Sequence, residues 1–169
     1  MKTLIRTALF LALIVWLGAE IFLPIVAVVT FKVLQTDTHT AGTIVGHLLR
    51  ILHGMGLASG LVALALLTLA PVWGIYKPRA VLAPMALLAV MLGLTIYSQT
   101  GIIPAMERDR IAAGGAINAA DAVNPSRVDF EKLHHRSENV EGVILLLGLA
   151  TVVFVARAET EKQGTGNRE

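Results

Sequence analysis

Residues 7–31 read TALFLALIVWLGAEIFLPIVAVVTF, a run of 25 residues with a single formal charge, Glu20. An α-helix needs about 20 apolar residues to cross the hydrocarbon layer of a membrane. Three further windows, 51–76, 80–106 and 142–156, contain no charged residue, although the chain has 14 Lys and Arg and 12 Asp and Glu. Soluble domains spread their charges along the chain, so this distribution excludes a typical soluble enzyme.

The four windows predict an all-α protein, an antiparallel four-helix transmembrane bundle that forms one integral membrane domain over residues 1–158. The predicted helices cover about 4–34, 41–73, 80–103 and 124–157. Pro104 is expected to end the third helix, and a polar tail follows over 159–169. The first run is too long for the apolar core of a secretory signal, so we expect an uncleaved first span.

Four spans put both termini on one side of the membrane, which we call side A, and the connections 32–40 and 104–126 on the other, side B. Basic residues flank the spans on both sides, but the longer connection is on side B. The positive-inside rule therefore favours termini in the cytoplasm of an inner or plasma membrane. The lipid bilayer explains the net charge of +2 without a nucleic-acid partner. Another membrane protein or a second copy of the chain remains open as a protein partner.

Glycines four residues apart occur twice in the second predicted helix, as Gly42 with Gly46 and as Gly56 with Gly60. This spacing lets neighbouring helix backbones approach closely in lipid. The alternative is that glycine is simply common in membrane helices.

Polar residues gather towards side B, because the second and fourth predicted helices exceed the length of about 20 residues that a bilayer needs and extend beyond it. These residues are His47, Arg50 and His53 on the second helix, the run Tyr97-Ser98-Gln99-Thr100 on the third, and Glu131, His134, Ser137, Glu138 and Glu141 on the fourth. The three glutamates and His134 of the fourth helix fall within an arc of about 80°. We therefore predict a polar chamber at side B.

Glu20 lies 14 residues beyond Arg6, about 20 Å into a hydrocarbon layer of about 30 Å. An ionised carboxylate at that depth costs several kcal/mol unless it is paired. Arg50 and His53 are the predicted partners. The pair of Glu20 with Arg50 is either a clamp between two helices or part of a functional site.

Imidazole and carboxylate groups on three helices favour a metal ion or a small polar ligand in the chamber. The predicted metal ligands are Glu20, His53, His134, Glu138 and Glu141, supported by His47, Arg50, Tyr97 and Ser137. A di-iron centre would need the Glu-x-x-His spacing twice, and it occurs once, at Glu131 and His134.

Three other interpretations stay open. His134 and His135 can belong to a solvated helix start, with Glu131 and Glu138 as neighbours one turn away. Haem between His53 and His134 or His135 would make the protein an electron carrier. A non-catalytic structural subunit of a membrane complex is the third. No phosphate-binding loop or nucleophile elbow occurs, so an enzyme is the less favoured class.

Short motifs along residues 8–157 resemble the transmembrane protein 205-like family of four-helix membrane proteins. They are Trp16-x-Gly18 with Phe22-x-Pro24, then Ile103-Pro104 with Arg108 and Arg110, and Phe130-x-x-Leu133-His134-x-x-Ser137. The resemblance implies a four-helix membrane fold and, through a eukaryotic relative associated with resistance to platinum drugs, a link to the handling of metals or small molecules. It implies no reaction and no catalytic residue. Copper-resistance-type and anthrone-oxygenase-like membrane proteins are weaker similarities.

Overall fold

The computed structural model describes residues 1–166, with side chains through residue 160, and the chain is helical through most of that range. The α-helices are α1 (Lys2–Val33), α2 (Thr38–Leu69), α3 (Pro78–Tyr97), α4 (Ile103–Ala112) and α5 (Pro125–Gly166). A π-helical segment, Ser98–Ile102, joins α3 to α4, and a 3-10 helix, Ile117–Ala119, lies between α4 and α5. The predicted tail, 159–169, lies mostly outside the residues with described side chains and stays a prediction.

Four helical stretches are long and apolar enough to cross a membrane, as the charge-free windows predict. They are Lys2–Val33, Thr38–Leu69, Pro78–Ala112 and Pro125–Thr160. Each exceeds the length of about 20 residues that a bilayer requires. Around the bundle α1 packs on α2, α2 on α3, α3 on α5, and α5 on α1. The predicted all-α four-helix bundle is confirmed, and the protein is an integral membrane protein.

Pro104 does not end the third span, which corrects the sequence prediction. The helical course passes through the π-helical segment into α4, where Pro104 occupies the second position. A proline is tolerated in the first turn of a helix because that turn needs no backbone donor. The Ile103 N–H meanwhile bonds to the Ser98 carbonyl, five residues back. The side B connection is therefore shorter than predicted, from 113 to 124.

The outer surface of the bundle is apolar, as a lipid-facing surface must be. Phe22, Val28, Leu61 and Leu146 each expose more than half of their surface. The interior is filled by large side chains with almost no exposed surface, among them Trp16, Leu88, Met91 and Ile144.

Only one of the two glycine pairs has a packing reason. A Cβ atom on Gly56 would lie 2.6 Å from the indole Nε1 of Trp16, and one on Gly60 would overlap the same indole ring. Trp16 of α1 therefore packs directly on the α2 backbone. A Cβ atom on Gly42 or Gly46 would meet nothing closer than 4.0 Å.

A polar clasp closes the bundle at side A. Arg6 Nη1 lies 3.1 Å from Glu159 Oε2, and the Tyr76 hydroxyl donates to Glu159 Oε1 at 2.5 Å. Burial and the adjacent Glu159 carboxylate raise the pKa of the Tyr76 phenol, so it stays a donor at ordinary pH. The clasp joins the start of α1, the turn before α3 and the end of α5.

Glu159→Gln is expected to lower the free energy of unfolding by about 1 kcal/mol, because the amide keeps the Tyr76 bond but loses the partly buried ion pair. Denaturation in mixed detergent micelles measures this. The matched control is Glu131→Gln, which removes the exposed pair with Arg127 and should change stability by only a few tenths of a kcal/mol. Equal effects of the two substitutions would contradict a stabilising role for the clasp.

Candidate functional site

Glu20 is buried inside the bundle with 4% of its surface exposed. Its Oε1 accepts a hydrogen bond of 3.2 Å from the indole Nε1 of Trp16, one turn earlier on α1. The indole is itself held against Gly56 and Gly60 of α2. The carboxyl group is therefore fixed in position by a side chain that has no room to move.

His53 of α2 has no exposed surface, and protein groups occupy both of its ring nitrogens. Nδ1 lies 3.0 Å from Gln99 Oε1, and Nε2 lies 3.0 Å from Glu141 Oε1. With the amide oxygen towards Nδ1, that nitrogen carries a proton. The ring is then an imidazolium when Nε2 donates to an ionised Glu141, and neutral when a protonated Glu141 donates to Nε2. With the Gln99 amide turned over, the ring is neutral. The site thus accommodates both charge states of the imidazole.

Glu141 of α5 supplies the second carboxyl group of the site, next to His53. Its Oε1 also accepts a hydrogen bond of 3.0 Å from Ser98 Oγ. Its Oε2 is buried and has no hydrogen-bond partner among the described residues. One oxygen of Glu141 is thus doubly engaged, while the other retains its full capacity to accept a proton or a cation.

The π-helical segment supplies the remaining members of the site, Ser98 and Gln99. Such segments widen a helix by one residue per turn and occur frequently at functional sites. Here the segment begins directly after the exposed Tyr97, and its first residue, Ser98, is buried in the bundle on the same face as Thr95 of α3. We call the six residues together the intramembrane cluster: Trp16, Glu20, His53, Ser98, Gln99 and Glu141.

The intramembrane cluster holds two carboxyl groups and one imidazole. Glu20 and Glu141 interact electrostatically with each other, and both interact with His53. A charge in the interior of a membrane protein is costly unless it is compensated. A protonated His53 compensates one carboxylate, so an electrically neutral cluster needs one more proton or another cation.

The matching family model is that of a domain of unknown function, DUF4149, and it covers residues 11–111. The chain belongs to the DUF4149 family. No curated protein and no solved structure matches the chain. The DUF4149 match runs from α1 to the end of α4 and includes Glu20, His53, Ser98 and Gln99, whereas Glu141 lies beyond it on α5.

In this DUF4149 protein the predicted ligands separate into two places. Glu20, His53 and Glu141 belong to the intramembrane cluster, in which Glu141 contacts His53 and Glu20 contacts Trp16. His134 and Glu138 are exposed on α5 and pair with each other at 3.3 Å. The separation follows from helix geometry, since His134 lies seven residues before Glu141, about 10 Å further towards side B.

The predicted pair of Glu20 with Arg50 is not formed among residues 1–160, the part with described side chains, and this prediction is wrong. Arg50 is exposed and lines a separate cavity with His47. Of the other supporting residues, Ser137 is buried, and Tyr97 packs its ring against the Arg136 guanidinium, 5.9 Å away.

Sequence reasoning missed Trp16 as a partner of Glu20, although the i to i+4 spacing on α1 is visible. It noted the polar run at 97–100 but selected Tyr97 rather than Ser98 and Gln99. Ser98 lies three residues after the buried Thr95, and Gln99 lies seven residues after the buried Leu92. The helical periodicity of α3 therefore already indicates that both face the interior.

Proposed function

We propose that this DUF4149 protein binds an exchangeable cation at the intramembrane cluster, with a proton as the first candidate. The observation that carries the proposal is the buried Glu141 Oε2, which has no partner among the described residues and lies beside an imidazole and near a second buried carboxyl group. Chains of acidic and imidazole groups inside membrane proteins serve as proton relays and ion pathways.

A proton suits these groups better than a metal ion does. A metal would need a free nitrogen on His53, and both nitrogens bond to protein groups. Through residue 160, no three His, Cys, Asp or Glu side chains are grouped closely enough to hold a metal. A metal ion or a small polar ligand is the second candidate, with Glu20 and Glu141 as its oxygen donors.

The arrangement of the described histidines does not favour haem. His53 has no nitrogen left for iron, and His134 and His135 are exposed on the outside of α5. A structural role competes more strongly, because hydrogen bonds of the intramembrane cluster link α2, α5 and the π-helical segment. The experiment must therefore distinguish cation binding from a purely structural role of these hydrogen bonds.

The broader assignments are proposals as well. The resemblance to the transmembrane protein 205-like family supports a link to the handling of metals or small molecules. A proton site would couple that handling to the proton gradient across the membrane. We place the termini in the cytoplasm of an inner or plasma membrane. Another membrane protein or a second copy of the chain is the proposed protein partner.

Glu141→Gln tests the proposal, because glutamine retains the shape and the hydrogen-bonding capacity of the side chain but cannot exchange a proton. Infrared difference spectra of the purified protein at two pH values should show a buried-carboxyl band in the wild type, and this band should be lost or diminished in the variant. Metal content and affinity are measured on the same samples.

The matched control is Glu138→Gln, an exposed glutamate on the same helix, which should leave the buried-carboxyl band unchanged. If the spectra of the wild type and Glu141→Gln coincide, and neither sample binds metal, the cation site is excluded and the structural role remains.

A further inference from the structure

A second polar site lies at side B, outside the intramembrane cluster. It is a cavity of about 490 Å³ between the first third of α2, α4 and the connection that follows α4. Its titratable or amide-bearing lining includes His39, His47, Arg50, Glu107, Arg110 and Asn118. A volume in this range is typical of sites for small molecules.

The cavity lies at the edge of the membrane. α2 has 32 residues and is therefore about 48 Å long, against about 30 Å of hydrocarbon. The 20 residues from Arg50 to Leu69 cover about 30 Å and suffice to cross it. The part of α2 that precedes Arg50 then stands among the lipid headgroups or beyond them.

One arginine of the cavity is already fixed. Arg110 donates to both carboxylate oxygens of Glu107, from Nε at 3.0 Å and from Nη2 at 2.7 Å. Its Nη1 donates to Thr43 Oγ1 at 3.1 Å. The Glu107 carboxylate is thus occupied by Arg110, and Arg110 retains two N–H donors.

The other carboxylate of the cavity is also engaged. Asp37 accepts a hydrogen bond of 2.9 Å from the Thr40 backbone N–H and so caps the start of α2. Hydrogen bonding from the Thr40 side chain and from the Thr40 backbone N–H lowers the pKa of Asp37, so the side chain stays ionised in its capping role.

Among the residues with described side chains, Arg50 is the cation of the cavity that no carboxylate binds directly. Within the described residues it makes no hydrogen bond and no ion pair, and it interacts electrostatically with Glu107, which is already bound to Arg110. His47 also lines the cavity, and its Nδ1 donates to the Thr43 carbonyl at 2.8 Å.

We propose that this cavity binds the phosphate group of an anionic ligand, with Arg50 as the primary contact and Arg110 as a further donor. A guanidinium matches the oxygens of a phosphate with two parallel hydrogen bonds. The phosphate belongs either to a lipid headgroup, which the depth of the cavity permits, or to a soluble molecule that enters from side B. This site is independent of the cation site proposed above.

The test compares the wild type with Arg50→Gln in two arms. In detergent micelles, retention of isotope-labelled inorganic phosphate reports on a soluble anion. In bilayer discs of equal parts phosphatidylcholine and phosphatidylglycerol, native mass spectrometry reports on bound anionic lipid. Arg50→Gln should weaken binding by roughly tenfold or more in the arm that matches the natural source, because a charge-assisted contact is lost.

Arg108→Gln is the matched control, since Arg108 is an exposed arginine at the same end that does not line the cavity. The Arg108→Gln variant should bind inorganic phosphate and anionic lipid as the wild type does. A loss in the phosphate arm identifies a soluble ligand, and a loss confined to the lipid arm identifies a headgroup. Unchanged binding of Arg50→Gln in both arms, or equal losses in Arg50→Gln and Arg108→Gln, would overturn the proposal.

Discussion

Replacing His53 with alanine is expected to lower the free energy of unfolding by about 3 to 5 kcal/mol, a large share of the stability of a protein of this size. The imidazole is fully buried and bridges Gln99 and Glu141. Its removal leaves Glu141 Oε1 with Ser98 as its remaining partner, leaves the Gln99 amide oxygen without the imidazole, and opens a cavity. Denaturation of the purified protein in mixed micelles measures the loss.

His134→Ala is the matched control, because His134 is exposed and pairs with Glu138 on its own helix. It should change stability by less than about 0.5 kcal/mol. The double variant His53→Ala with Glu141→Ala should lose less than the sum of the two single variants, since neither group is then left unpaired. Additive losses, or a His53→Ala variant as stable as His134→Ala, would show that the pair does not hold the bundle together.

Gly60→Ala is expected to destabilise the protein by about 1 to 3 kcal/mol, although alanine is the better helix former by about 1 kcal/mol. The added methyl group would overlap the Trp16 ring and would lie 2.8 Å from Leu92 Cδ2. Leu92 can rotate away, but Trp16 is hydrogen-bonded to Glu20 and cannot. Thermal unfolding and the tryptophan fluorescence spectrum both report on the displacement.

Gly93→Ala provides the comparison on α3, where a Cβ atom would meet nothing within 4 Å. That substitution should be neutral or slightly stabilising. If both alanine variants behave alike, the contact of Trp16 with the α2 backbone contributes little. If Gly60→Ala also weakens the infrared carboxyl band, Trp16 positions Glu20 within the intramembrane cluster.

The spans were predictable because membrane solubility is a property of each segment by itself. A window without charges that is long enough to cross the hydrocarbon has few other structures available, and four such windows predict four membrane spans. Pro104 misled the prediction because a local rule, that proline ends a helix, was overridden by the preceding π-helical turn.

The candidate site was predicted in part, for a related reason. Glu20 stood out because it is a lone charge inside an apolar run, and burial of such a group demands partners. His53 interacts with Glu20 electrostatically, whereas Arg50 forms no ion pair with it in the described part of the chain. The two residues are three positions apart on α2, yet His53 faces the bundle interior and Arg50 the side B cavity.

The sequence by itself determined that this protein spans a membrane four times and that an acidic group lies deep inside the membrane. These conclusions depend on how much charge each segment carries, which is a one-dimensional property. Only the tertiary structure decided which polar groups meet, because a rotation of 100° per residue and the alignment of separate helices choose the partners. That choice placed Glu141 beside His53 and left His134 outside.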